Sequence, residues 1–181
     1  MTVIDDFVAE ALRLQGILGL LTQAQWQAES GAGGWSVADV VLHLAQSDEA
    51  VAASADGADH RADVAAAGTV DGWAARMVDA ERAAPDLVFA RWREARDTAV
   101  EALREADQDR PLLWVAGPMK PGTLATTRLR STGRTASTSP SRSASTSPTP
   151  TGCGISPGWR TGRCRTRSQK PARRQRRCAA R

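Results

Sequence analysis

The sequence lacks the features that mark a membrane span, a disulfide framework or a zinc finger. No apolar run approaches the roughly 20 residues that cross a bilayer, and the acidic start differs from the basic start of a signal peptide. The three cysteines, Cys153, Cys164 and Cys178, have ten and thirteen residues between them, so there is no CxxC pair and no even set for disulfides. We therefore expect a cytoplasmic protein with neither kind of cysteine site.

Acidic residues are absent after Asp109. All 20 acidic residues lie between Asp5 and Asp109, together with only eight of the 24 basic residues. The formal charge is therefore −12 up to Asp109 and +16 over residues 110–181, although the whole chain sums to +4. The average composition thus conceals two parts of opposite charge.

Large apolar residues are almost absent after Leu129. Residues 130–181 contain no Leu, Val, Phe or Met, and only Ile155 and Trp159 are large and apolar. Such a Ser/Thr/Pro/Arg-rich segment cannot bury enough apolar surface to offset the entropy lost on ordering. We predict a disordered tail over residues 130–181, whose arginine run at 173–177 adheres nonspecifically to polyanions.

Before Leu129 the apolar residues recur at helical spacing, and no strand pattern competes with it. This predicts an all-α protein, an up-down helical bundle that is incomplete because its last helix stops early. Ser36 is a good N-cap for the second helix. The predicted elements are helices at 3–22, from 36, at 71–83 and at 86–106, a flexible link at 57–68, an apolar loop at 111–118, and the first turns of a fifth helix at 122–129.

Few residues in this part carry evident chemistry, and there is no glycine-rich phosphate loop, nucleophile elbow or HExxH motif. His43 lies one position off the apolar stripe of the second helix, so it is either a satisfied boundary histidine or a metal ligand. His60 is expected in a solvated loop. Asp48 and Glu49 are expected on a solvated face, with an outer-shell role at a metal as the alternative.

The run from Gly34 to Glu49, GWSVADVVLHLAQSDE, resembles the signature of the DinB-like, mycothiol-dependent maleylpyruvate isomerase N-terminal domains. Segments around Trp26, Arg91–Arg93 and Trp114–Leu129 also resemble one actinobacterial branch of this family, so the likeness covers residues 1–129. It implies an up-down bundle with a divalent metal, zinc by expectation, that activates mycothiol for attack on an electrophilic substrate.

The resemblance also implies a ligand set. One ligand is a histidine on the second helix, which His43 matches, and the others are a carboxylate and a histidine one turn apart on a later helix. Ser131 and Thr135 stand at these two positions. With one nucleotide restored, codons compatible with Arg130–Pro140 read Met-Glu-His-Trp-Ala-His-Gly-Leu-Asp-Val-Ala, which supplies both ligands. We interpret residues 130–181 as an out-of-frame translation.

Three functions remain open from the sequence. The first is a metal-binding, thiol-dependent isomerase or transferase domain, inactive as written because two of its three ligands are missing. The second is a non-catalytic fragment with an incomplete core. The third is a module that binds nucleic acid through its basic tail, although no folded nucleic-acid-binding motif accompanies that tail.

Overall fold

The computed structural model describes residues 1–138, which contain seven helices and one two-stranded hairpin. The predicted all-α class is confirmed, because four long helices, the first, third, sixth and seventh, form a bundle. In chain order the elements are α1 (Val3–Leu18), α2 (Gln23–Gln27), α3 (Val37–Ala55), α4 (Arg61–Ala67), α5 (Val70–Glu81), α6 (Pro85–Glu105), β1 (Leu112–Trp114), β2 (Gly117–Met119) and α7 (Pro121–Thr138).

The starts of the long helices follow from local sequence. Ser36 accepts a hydrogen bond from the Asp39 amide, and the Asp39 carboxylate accepts one from the Ser36 amide, a reciprocal capping box. Thr2 and Asp5 form the same arrangement at α1. Pro85 occupies the first turn of α6, where its missing N–H costs nothing.

The core lies between two helix pairs. Helix α3 packs mainly against α6, and α1 packs mainly against α7. Burial of each large apolar side chain contributes about 1.5–3 kcal/mol to stability. The largest fully buried side chains include Trp92, Phe7, Leu14, Leu18, Leu42, Leu44, Leu103 and Leu124.

The prediction that ordered structure ends at Leu129 is wrong, because α7 extends beyond this residue. It continues to Thr138, and its later turns bury Thr132 and Ala136. The prediction failed because it counted only large apolar residues. Small side chains allow this half of α7 to approach the bundle closely, and the Ser131 hydroxyl donates to a carbonyl of the preceding turn. The predicted disorder and polyanion binding of later residues lie outside the described part.

Three smaller predictions are also wrong. The predicted first helix ends at Leu18 and is followed by the separate short helix α2, and the link at 57–68 contains α4. The loop at 111–118 contains the antiparallel β1–β2 pair, with Leu112 opposite Met119. The Ser54 hydroxyl holds this hairpin against α3 by donating to the Leu113 carbonyl at 2.8 Å, which periodicity alone cannot reveal.

Within residues 1–138, no helix combines the length and apolarity that crossing a membrane requires.

Candidate functional site

His43 lies half-buried on α3, with its ring 5.3 Å from the ring of Trp35 between centroids. Burial and the positive charge of Arg128 lower the pKa of His43 to about 4, while Asp71 acts in the opposite direction. The imidazole is therefore neutral near pH 7. Neutral imidazole is the form that binds metals, so this environment leaves His43 chemically competent as a ligand.

Arg128 on α7 forms a buried ion pair with Asp48 on α3. Arg128 Nε donates to Asp48 Oδ1 at 2.7 Å, and the side chains are 4% and 0% exposed. The same guanidinium donates to the Leu44 carbonyl through Nη2 at 3.3 Å, one residue after His43. The pair therefore fixes the helix that carries His43 against the helix that carries the expected partner positions.

The Asp48 carboxyl group is buried among further groups from α6. Burial raises the pKa of Asp48, whereas Arg128, Arg96 and the indole of Trp92 act to lower it. Within residues 1–138, Asp48 Oδ2 and Trp92 Nε1 are both buried and neither has a hydrogen-bond partner. The Trp92 indole therefore lowers the pKa of Asp48 without forming a well-aligned hydrogen bond to it. Arg96 extends the network to α1 by donating to Gln15 Oε1 at 2.6 Å.

Glu49 points to a different set of partners from those of Asp48. Its two oxygens accept from Nε and Nη2 of Arg91 at 2.6 and 2.8 Å, and Arg91 also pairs with Glu81. Among residues 1–138 the hydrogen bonds of Asp48 and Glu49 thus go to arginines, and the solvated face predicted for Asp48 is wrong, because its side chain is 0% exposed. Their outer-shell role at a metal stays a prediction.

Ser131 and Thr135 lie one turn apart on α7, at the two positions where the resemblance implies a carboxylate and an imidazole. The Ser131 hydroxyl donates to the Thr127 carbonyl at 3.1 Å, and the Thr135 hydroxyl donates to the Ser131 carbonyl at 3.2 Å. Across residues 1–138, no group of three or more His, Cys, Asp or Glu side chains is arranged to hold a metal. The donor set beside His43 therefore does not fit a zinc centre, which needs carboxylate, thiolate or imidazole ligands.

A cavity of about 700 Å³ opens beside these positions. Its walls come from the loop at 30–32, from the start of α3 at Val37 and Val40, and from the second half of α7, including Thr135. The sequence analysis missed this cavity because residues 130–138 were predicted to have no fixed structure. Its volume lies in the range of small-molecule sites.

His60 departs from the sequence prediction of a solvated residue. It is half-buried just before α4, its ring lies 5.6 Å from that of Trp73, and its Nδ1 atom lies 3.6 Å from an Asp63 oxygen. These contacts give it a packing role at the junction of α4 and α5.

Arg128 is the main residue of this region that the sequence analysis missed. It follows Leu124 by four residues and Ala125 by three, so it falls on the buried stripe of α7. An arginine on an apolar stripe signals a buried partner, since a lone buried charge is very costly.

The sequence model of the mycothiol maleylpyruvate isomerase N-terminal domain matches residues 7–133, and the chain belongs to this family. The family assignment made from the Gly34–Glu49 signature is thereby confirmed. No curated protein and no solved structure shows significant similarity to the chain.

Proposed function

We propose that this chain is a domain of a mycothiol-dependent isomerase or transferase. With Ser131 and Thr135 at the expected ligand positions, the chain lacks the metal centre and the metal-dependent thiol activity. The observation that carries the proposal is the pair Ser131 and Thr135, whose hydroxyls donate to carbonyls of their own helix where a carboxylate and an imidazole are expected. His43 then stands as a single ligand, and one imidazole does not hold a catalytic zinc.

Electrostatics supports the same proposal. Burial is the main cause of the lowered pKa of His43, and the Arg128 charge lowers it further, so Arg128 also disfavours a second cation beside the imidazole. In the proposal, a carboxylate at position 131 offsets this charge in an intact site. The hydroxyl of Ser131 carries no charge, so it adds nothing to the compensation of the Arg128 charge that Asp48 provides.

Two substitutions would complete the ligand set, so the proposal can be tested by a gain of zinc binding. Residues 131 and 135 are four apart on one helix and so share a face. Thr135 lines the 700 Å³ cavity, which gives a larger side chain room. We propose zinc as the metal of the completed site, mycothiol as the thiol it serves, and the cytoplasm as its location.

Zinc titration of the full chain against a chromophoric chelator tests the proposal. For the unsubstituted chain, we expect that His43→Ala leaves zinc binding unchanged. Any zinc that binds is then held by other groups, such as the three cysteines. For the double variant Ser131→Glu/Thr135→His, we expect one additional zinc equivalent. Adding His43→Ala to that double variant should remove this equivalent.

The His43→Ala comparison gives each result a clear meaning. If the unsubstituted chain binds one zinc equivalent tightly, and His43→Ala weakens that binding tenfold or more, an intact site exists and the proposal is overturned. The absence of a His43-dependent equivalent in the double variant would show that positions 131 and 135 are not the missing ligand positions. Circular dichroism of each variant checks that the helices are retained.

A further inference from the structure

The loop before α3 is closed around the carbonyl group of Trp35. The Ser30 amide donates to the Trp35 carbonyl at 2.8 Å, and the Ser30 hydroxyl donates to the same oxygen at 2.7 Å. We refer to these two hydrogen bonds as the Ser30 clamp. The Trp35 amide donates in turn to the Ala32 carbonyl at 3.0 Å, and Gly34 has a φ of 82°, which a glycine adopts without strain. The backbone of Trp35 is therefore fixed at the entrance to α3.

The indole of Trp35 lies against the imidazole of His43, two turns further along the chain. The ring centroids are 5.3 Å apart and the ring planes are inclined at 50°. This separation and this tilt favour attraction between two aromatic rings. Trp35 also packs against the hydrophobic core of the bundle, so its own side chain is held by neighbours. The His43 ring thus meets a partner that is fixed through both its backbone and its side chain.

The His43 ring needs such a contact to keep one orientation. A helix restricts rotation about the Cα–Cβ bond of a residue, but rotation about the next bond, which turns the ring, has only a broad, roughly two-fold preference. Among residues 1–138 no group forms a hydrogen bond with the imidazole nitrogens, since the Ser47 hydroxyl donates to the backbone carbonyl of His43. The indole of Trp35 is thus the ring contact that can select the orientation.

We propose that Trp35 is a positioning residue: the Ser30 clamp holds Trp35, and the indole fixes the orientation of the His43 ring. The inference rests on the proposed function in one respect, since His43 matters as the ligand that this chain retains. All three residues lie within residues 7–133, the part that matches the family. The chain therefore keeps a preorganised imidazole, although hydroxyl side chains occupy the other two ligand positions.

Carbon-13 NMR relaxation of the full chain, labelled in histidine and free of added metal, tests the proposal. The sequence has two histidines, His43 and His60, so the ring signals are few and can be assigned by substitution. For the unsubstituted chain we expect an order parameter of about 0.85 for the His43 Cδ2–Hδ2 bond, the value of a rigid group. In Trp35→Leu it should fall below about 0.6. Trp35→Phe keeps an aromatic ring and should retain a value near that of the unsubstituted chain.

The second histidine supplies a matched control, because His60 has an indole partner of its own. Its ring lies 5.6 Å from that of Trp73, with the ring planes inclined at 34°. Trp73→Leu makes the same change of side chain as Trp35→Leu and should leave the order parameter of His43 unchanged. Ser30→Ala removes the hydroxyl of the clamp and keeps the indole. It should lower the His43 order parameter by less than Trp35→Leu does.

Two outcomes would overturn the proposal. An unchanged His43 order parameter in Trp35→Leu would mean that α3 alone fixes the ring, and an equal fall in Trp73→Leu would mean that the whole domain has loosened. If circular dichroism shows that Trp35→Leu does not fold, Ser30→Ala decides in its place, and an unchanged His43 value there would reject the proposal. The zinc titrations measure a different quantity, so the positioning of His43 can fail while the missing ligand positions are confirmed, and the reverse.

Discussion

Asp48 and Arg128 form the buried electrostatic link between α3 and α7, with Asp48 Oδ1 2.7 Å from Arg128 Nε and neither side chain more than 4% exposed. The carboxylate precedes the guanidinium by 80 residues in the chain. Helix α3 carries His43, and α7 carries positions 131 and 135. This pair thus links the helix that carries His43 directly to the helix that carries the other candidate ligand positions.

Removal of one partner of this pair should be strongly destabilising. Asp48→Ala leaves the Arg128 charge buried without compensation, and we expect a loss of about 3–5 kcal/mol in the free energy of unfolding by urea. The control is Arg104→Ala, which breaks the exposed pair with Asp5 and should cost less than about 1 kcal/mol. The double variant Asp48→Leu/Arg128→Leu should lose less unfolding free energy than the sum of the losses in Asp48→Leu and Arg128→Leu. Additive losses would contradict a direct interaction.

The stability of the domain should depend on pH through His43. The pKa of His43 falls from 6.5 in the unfolded chain to about 4 in the folded one, chiefly because of burial. The neutral form is favoured in the folded state, so its contribution is fully present above pH 6.5 and is lost as the pH falls from 6.5 to 4. The loss should reach at most about 3 kcal/mol.

The comparison of the wild-type chain with His43→Gln isolates this effect. Burial raises the pKa of Asp48, which acts in the opposite sense, but that contribution is common to both proteins. We expect the urea unfolding free energies of the two proteins to diverge below pH 6.5, with the wild-type chain losing more. Parallel curves between pH 7.5 and 4 would contradict the assigned environment of His43.

The second half of α7 should tolerate a charge on only one face. Ala136 is 2% exposed, whereas the next residue, Ser137, is exposed. Ala136→Asp should lower the unfolding free energy by more than about 2 kcal/mol, since it buries an unpaired carboxylate. Ser137→Asp, the adjacent control, should change it by less than about 0.5 kcal/mol. Equal effects would mean that these turns do not pack as described.

Two helical glycines should respond oppositely to alanine. A Cβ on Gly72 would lie 2.9 Å from the Ala67 carbonyl oxygen and 3.0 Å from the Thr69 hydroxyl, so Gly72→Ala should cost about 1–3 kcal/mol through a clash with backbone. A Cβ on Gly122 would meet only Val3 at 3.8 Å, so Gly122→Ala should be neutral or stabilise by up to about 1 kcal/mol. Thermal unfolding of both variants checks the contrast.

The sequence carried enough information to predict the main helices and the Ser36 cap. Apolar periodicity identifies buried faces, and a capping box is a local pattern of two residues three apart, so both can be recognised without tertiary contacts. The position of His43 at the edge of its stripe was also readable. Its pKa was not, because it depends chiefly on burial in the bundle and then on Arg128, which is distant in sequence.

The remaining features depend on contacts between distant segments. The continuation of α7 rests on small residues such as Thr132 and Ala136, which are buried because α7 packs against α1, and a composition argument gives such residues little weight. The hairpin is anchored by the single bond from Ser54 to the Leu113 carbonyl. The cavity exists only once the second half of α7 lies beside the start of α3.

The pairing of α1 with α7 imposes an order on biosynthesis. A ribosome completes the first helix early, yet that helix meets its principal partner only after residues 121–138 have emerged. Until then the nascent chain displays the apolar surface around Phe7 and holds Asp48 without its guanidinium. The bundle therefore closes only after α7 has been synthesised, and until then the apolar faces of the earlier helices stay exposed.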